Sequence, residues 1–127
     1  MVYLDSSGAL KLVIAEAESP ALRNFMATQT AWAISDIGRT EVLRGAVRHD
    51  ALAGARELLS QAIFIEVTSA VLERAAELQP PTLRTLDAIH IASALSIRAD
   101  IEALVTYDAR MGEAAASYGL TVMSPGA

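Results

Sequence analysis

The chain of 127 residues contains no cysteine, which excludes disulfides, zinc–thiolate centres and cysteine nucleophiles. No apolar run approaches the ~20 residues of a bilayer-spanning helix. The opening "MVYLDSSGAL" has neither the basic nor the apolar stretch of a secretory leader. The expectation is a soluble, cytoplasmic protein with no membrane association. Excess positive charge is also missing: the formal net charge is −5, which argues against a broad basic surface holding nucleic acid non-specifically. Lys11 is the only lysine, and the other basic residues are arginines. No repeat, low-complexity tract or Gly/Ser/Pro linker interrupts the chain, and Pro80-Pro81 is its one strong punctuation mark. A chain of this length supports one sizeable core, so residues 1–127 read as a single unit. No glycine-rich phosphate loop and no nucleophile elbow is present.

Hydrophobic residues, at 53%, are patterned into alternating strands and helices. Val2 to Leu4 form a short strand ending at Asp5, after which Ser6 or Ser7 can cap a helix carrying Leu10, Val13 and Ile14. Ser19 caps a second helix with Pro20 just inside it, running to about Thr28, and "AWAI" follows as a buried strand. Ser35 or Asp36 opens the helix that bears Glu41, and a further helix holds Ala55, Leu58 and Leu59. "AIFIEV" is a strand, Thr68 caps the helix up to the proline pair, and Thr85 caps an apolar, central helix from Leu86 to Ile97. "ALVTY" runs as a strand into Asp108, "ARMGEAAASY" is a helix closed by Gly119, and "LTVM" is the last strand. Such alternation predicts an α/β fold: a parallel sheet with right-handed crossovers and helices on both faces, three layers in all. Active sites in these sheets lie at the carboxyl ends of the strands, near the topological switch point.

Four acids are placed for that position. Asp5 and Asp108 end strands and begin helices; either alone reads first as an N-cap. Asp87 sits in the first turn of the most apolar helix. Its charge complements the helix dipole, yet burying an unpaired carboxylate costs several kcal/mol unless a cation or hydrogen bonds offset it. Glu41 lies one turn past a strand-to-helix cap and is either solvated or turned toward the site. Converging carboxylates without thiols are the ligand set of a hard divalent cation. His90, three residues after Asp87, reads either as half of an Asp-x-x-His metal pair or, more commonly, as a buried histidine bonded to a neighbour. Arg39, Arg44, Arg84 and Arg110 flank the acids, as ion-pair partners or as phosphate binders.

"VYLDSSGALKLV", "SDIGRTEVLRG", "LRTLDAIHIASAL" and "LVTYDARMGEAAASYGLTVMSPGA" resemble, in order and spacing, the PIN-domain ribonucleases, and specifically the VapC toxins of bacterial VapBC toxin–antitoxin pairs. The resemblance implies a PIN-like α/β sandwich in which Asp5, Glu41, Asp87 and Asp108 are catalytic, with Asp5, Asp87 and Asp108 as ligands of Mg²⁺ or Mn²⁺. It implies Ser6 and Thr106 as accessory hydroxyls orienting a carboxylate or water. It further implies RNA hydrolysis leaving a 5′-phosphate and a 3′-hydroxyl, a VapB-type antitoxin whose C-terminal segment fills the groove, and toxin homodimers. Arg44 and Arg84 are the arginines best placed to hold the RNA strand. A receiver domain would carry adjacent acids after its first strand and a late lysine, and a haloacid-dehalogenase-type phosphatase a second aspartate at the position of Ser7; neither pattern is present. The remaining alternative is a catalytically silent PIN-like module that only binds its antitoxin.

Overall fold

The computed structural model describes residues 1–127. Five short strands form one all-parallel sheet: β1 (Val2–Leu4), β2 (Trp32–Ser35), β3 (Ile63–Ile65), β4 (Ala103–Val105) and β5 (Val122–Met123), in spatial order β3-β2-β1-β4-β5. Tyr3 pairs with Ala33 on one side and Leu104 on the other. The chain builds outward from β1 to β3, then returns across β1 to lay down β4 and β5. The switch point is therefore the gap between β1 and β4, the two strands that end at Asp5 and near Asp108.

Side-chain alternation along the strands divides the core between two faces. Tyr3, Ala33 and Leu104 point to one face, where they are covered by α5 (Ser69–Glu77), α6 (Thr85–Ser96) and α7 (Ala109–Ser117) through Val71, Ala75, Ile91, Met111 and Ala115. Val2, Leu4, Ile34, Ala103 and Val105 point to the other. There α1 (Ser6–Lys11), α2 (Ser19–Met26), α3 (Asp36–Arg48) and α4 (Leu52–Leu59) cover them with Ala9, Leu22, Val42, Ala46 and Leu59. The three-layer α/β architecture is the one read from the sequence.

The differences lie at element ends. The first helix stops at Lys11, so Val13 and Ile14 fall in the turn after it. Its cap is Asp5, whose side chain accepts from the Gly8 N–H, rather than either serine. Ser19 is not the cap of α2 but its first residue; its buried hydroxyl donates to the Lys11 carbonyl and ties the two helices together. Thr85 is likewise inside α6, behind Arg84 as N-cap. The strand "AIFIEV" contracts to three residues, Ile63–Ile65, at the sheet edge.

Candidate functional site

Each of the four acids comes from a different element. Asp5 follows β1, Glu41 lies mid-α3, Asp87 sits in the first turn of α6, and Asp108 caps α7. All four line one cleft of about 360 Å³ at the carboxyl end of the sheet, together with Ser6, Ser7, Arg84, Thr85 and Leu86. Three carboxylates thus face the amino ends of α1, α6 and α7, where helix dipoles favour negative charge. For Asp5 and Asp108 the capping role and the cleft position coincide: each uses one oxygen to cap and turns the other to further partners.

Asp5 is nearly fully buried, at 4% exposure, and is held by three donors. Oδ1 accepts from Gly8 N–H at 2.9 Å and Ser7 Oγ–H at 2.7 Å. Oδ2 accepts from Thr106 Oγ1–H at 2.6 Å. Both hydroxyls also accept backbone donors from the loop after β4: Ser7 Oγ from Tyr107 N–H at 3.2 Å, and Thr106 Oγ1 from Asp108 N–H at 3.1 Å. Thr106 therefore holds one oxygen of Asp5. The serine that does so is Ser7, not Ser6; with Asp5 as the cap, Ser6 points into the cleft and carries no hydrogen bond to an acid.

Asp87 and Asp108 are bridged by one cation. Arg84 donates through Nε to Asp87 Oδ2 at 3.1 Å and through a terminal nitrogen to Asp108 Oδ2 at 2.8 Å. The guanidinium stands in for a cation at this pair from a side chain that is 76% exposed. Burial raises the Asp87 carboxyl above its ordinary value. Arg84 pulls the other way, and the charge of Asp108 adds to the rise. No three Asp, Glu or His side chains stand close enough in this arrangement to chelate an ion. A divalent ion at this pair would compete with Arg84 for Asp87 and Asp108. The donor set suits it: four carboxylates, hydroxyls and no sulfur, the chemistry of a hard cation.

His90 is turned away from Asp87. It is buried and bonds Glu41 Oε1 through Nε2 at 2.7 Å and the Tyr3 hydroxyl through Nδ1 at 2.7 Å, so no Asp-x-x-His pair forms. Tyr3 reads from sequence only as part of the first strand, and nothing local signals its contact with a residue 87 positions away. Arg44 lines a neighbouring groove of about 580 Å³ with Leu10, Ile37, Glu41, Arg48 and Leu86. A third cavity, of about 650 Å³, continues from Asp87 and Asp108 toward Arg110 and Ser117. The acid cleft lies where these two grooves meet.

The PIN domain family matches residues 2–117. The chain is 40% identical over 126 residues to ribonuclease VapC46 of Mycobacterium tuberculosis, covering 98% of this chain and 97% of that one. Among solved structures it is similar to a toxin–antitoxin complex from Klebsiella pneumoniae, with a TM-score of 0.71, 27% identity and coverage of 85% and 87%. It also shares the fold of VapC20 of Mycobacterium tuberculosis, a sarcin–ricin loop cleaving toxin, with a TM-score of 0.76 and 15% identity over 98% and 100% of the two chains.

Proposed function

The chain belongs to the PIN-domain family, among the VapC ribonuclease toxins of toxin–antitoxin systems, and on that premise we propose that Asp5, Glu41, Asp87 and Asp108 carry a metal-dependent cleavage of RNA. The observation that supports this most is the convergence of four carboxylates from four elements on one cleft, with a cation already bridging two of them. Asp5, Asp87 and Asp108 would hold Mg²⁺ or Mn²⁺, with Glu41 beside them. When bound, such an ion eases deprotonation of water and offsets charge building on the phosphoryl oxygens.

The protein's own residues do the rest. Ser7 and Thr106 fix the Asp5 carboxylate and lock it to the loop that presents Asp108. Arg84 holds the Asp87–Asp108 pair, and with an ion held by those acids its guanidinium would be free to meet an RNA phosphate. Arg44 and Arg48 on one side of the cleft and Arg110 on the other mark a strand path through the acids. A single-stranded or looped RNA fits this open cleft, since selective reading of RNA needs splayed bases.

Residues 1–127 act in this reading as one domain, working in the cytoplasm. A VapB-type antitoxin is the partner. The groove beside Glu41, with Leu10, Ile37 and the half-exposed Leu86, suits its C-terminal segment, and a toxin homodimer completes the assembly. No helix is long and apolar enough to cross a membrane.

Cleavage of a structured RNA with Mg²⁺, with excess EDTA, and by Asp87→Asn tests the assignment. The expected result is cleavage by wild type with Mg²⁺ only, and a loss of about a hundredfold or more in the variant. Cleavage that persists in EDTA, or an equally active variant, would mean that the nuclease is not this site. A chain that takes up no Mn²⁺ would instead be the silent binding module.

A further inference from the structure

Behind Glu41 the structure buries a chain of polar groups that bonds to none of the other three acids. The Tyr3 side chain is fully buried and that of His90 is 2% exposed. Ser35 N–H donates to the Tyr3 oxygen at 3.1 Å, Tyr3 meets His90 Nδ1 at 2.7 Å, and His90 Nε2 meets Glu41 Oε1 at 2.7 Å. The rings pack edge to face, 5.8 Å between centroids. A carboxylate only accepts, so Nε2 must carry a proton toward Glu41. In the neutral ring Nδ1 then accepts from the Tyr3 hydroxyl, whose oxygen also takes the Ser35 N–H.

The ring is also clamped from α3. A Cβ on Gly38 would lie 2.7 Å from His90 Cε1 and 2.6 Å from Ile34 Cγ1. The first turn of α3 therefore rests on the imidazole, and only glycine admits so close an approach. Any buried imidazole needs partners for its nitrogens; what marks this one is that one partner, Glu41, is a partly exposed acid lining the cleft. Directed partners on both nitrogens are what sets an imidazole's tautomer and orientation.

We propose that Tyr3 and His90 are positioning residues for the reaction, a one-way hydrogen-bond relay that holds the Glu41 carboxylate in the acid cleft, with Gly38 as the seat for the ring. The proposal rests on Glu41 belonging to the hydrolytic site. Neither residue touches RNA; each acts through Glu41, and its contribution exists only while Glu41 is a carboxylate.

A double-mutant cycle on the full chain tests it, with Mg²⁺-dependent RNA cleavage and melting temperature measured for wild type, Tyr3→Phe, Glu41→Gln and the double variant. Tyr3→Phe is expected to lower kcat about tenfold with little change in KM, the usual size of losing a partner one contact removed from the site. In the Glu41→Gln background the same change should lower kcat by less than about twofold, because the group it positions is gone. The melting-temperature drop should be equal in both backgrounds. A fold-loss in kcat that is the same in both, or no loss in the single variant, overturns the proposal. If Glu41→Gln itself cleaves like wild type, the assignment of Glu41 to the site fails instead, so the two failures are distinguishable.

A second readout needs neither metal nor RNA. The long-range ¹H–¹⁵N spectrum of the metal-free protein should show His90 with its proton on Nε2 facing Glu41 in wild type and in Tyr3→Phe alike, with the Nδ1 resonance shifted in the variant because it has lost the Tyr3 hydroxyl. A spectrum unchanged by the substitution contradicts the relay. Should Tyr3→Phe fold too poorly to assay, Gly38→Ala displaces the ring from the other side and carries the same predictions.

Discussion

The Asp5 side and the Asp87–Asp108 side of the acid cleft are built on opposite plans. Asp5 is buried and satisfied from within by a backbone N–H and two hydroxyls. Asp87 and Asp108 meet their counter-charge in a guanidinium that reaches in from solvent. Buried, charge-assisted hydrogen bonds fix a carboxylate firmly, whereas an exposed ion pair contributes little and yields readily. One side therefore sets where the site is, and the other is free to exchange the cation it holds. A rigid anchor facing a pair bridged by a guanidinium is how these acids stand together in the chain as it folds.

Breaking each side in turn should separate activity from stability. Asp5→Asn and Asp108→Asn should each lower RNA cleavage by about a hundredfold or more. Their melting temperatures should part. Asn at Asp5 turns one acceptor into a donor amid three donors, which costs roughly 1–3 kcal/mol and so about 4–11 °C for a chain of this size. Asn at Asp108 keeps the cap of α7 and loses only an exposed contact, so metal-free melting should not move. Thermal scans in EDTA beside cleavage assays check both, and equal melting losses would erase the contrast.

A smaller effect belongs to Thr106→Val. It keeps the shape but removes the one hydroxyl that serves Asp5 and the Asp108 backbone together. Cleavage should fall about tenfold, measured as kcat at saturating Mg²⁺, and Ser6→Ala should leave kcat within about twofold because Ser6 bonds to none of the acids.

The smallest effect is a pH dependence of the metal-free protein. The folded Asp87 carboxyl titrates above its unfolded value of 3.8. The folded chain therefore binds more protons than the unfolded one between those two values, and this residue's contribution to stability falls as pH rises through that window. Asp87→Asn should be the more stable protein above the window and show no advantage below it, by urea unfolding in EDTA. An advantage of constant size at every pH would mean that the cost at Asp87 is not electrostatic.

Much of this was legible in sequence because it is local. Strand runs ending in Asp5 and Asp108, and an aspartate in the first turn of an apolar helix, place three acids at the carboxyl edge of a parallel sheet by topology alone. The choice of Ser7 over Ser6 was not legible: adjacent hydroxyls differ only in the phase of the helix, and that phase turns on Asp5 itself being the cap. Arg84 reads from sequence as an ion-pair partner of Asp87 or a phosphate binder, while its second contact lies 24 residues away and depends on how α6 and α7 pack. The bonds of His90 to Glu41 and Tyr3 span 49 and 87 residues. Such pairings are fixed by the order in which strands assemble, and no window of sequence contains them.

The contrast between anchor and exchangeable pair is tested most directly by calorimetric titration of Mn²⁺ into wild type, Arg84→Ala and Asp5→Asn. Removing the guanidinium takes away the competitor, so Arg84→Ala should bind Mn²⁺ roughly two- to tenfold more tightly than wild type, the size expected of one or two exposed ion pairs, while Asp5→Asn should show no saturable uptake at this site. Binding by Arg84→Ala that is equal to or weaker than wild type, or undiminished binding by Asp5→Asn, would contradict the account.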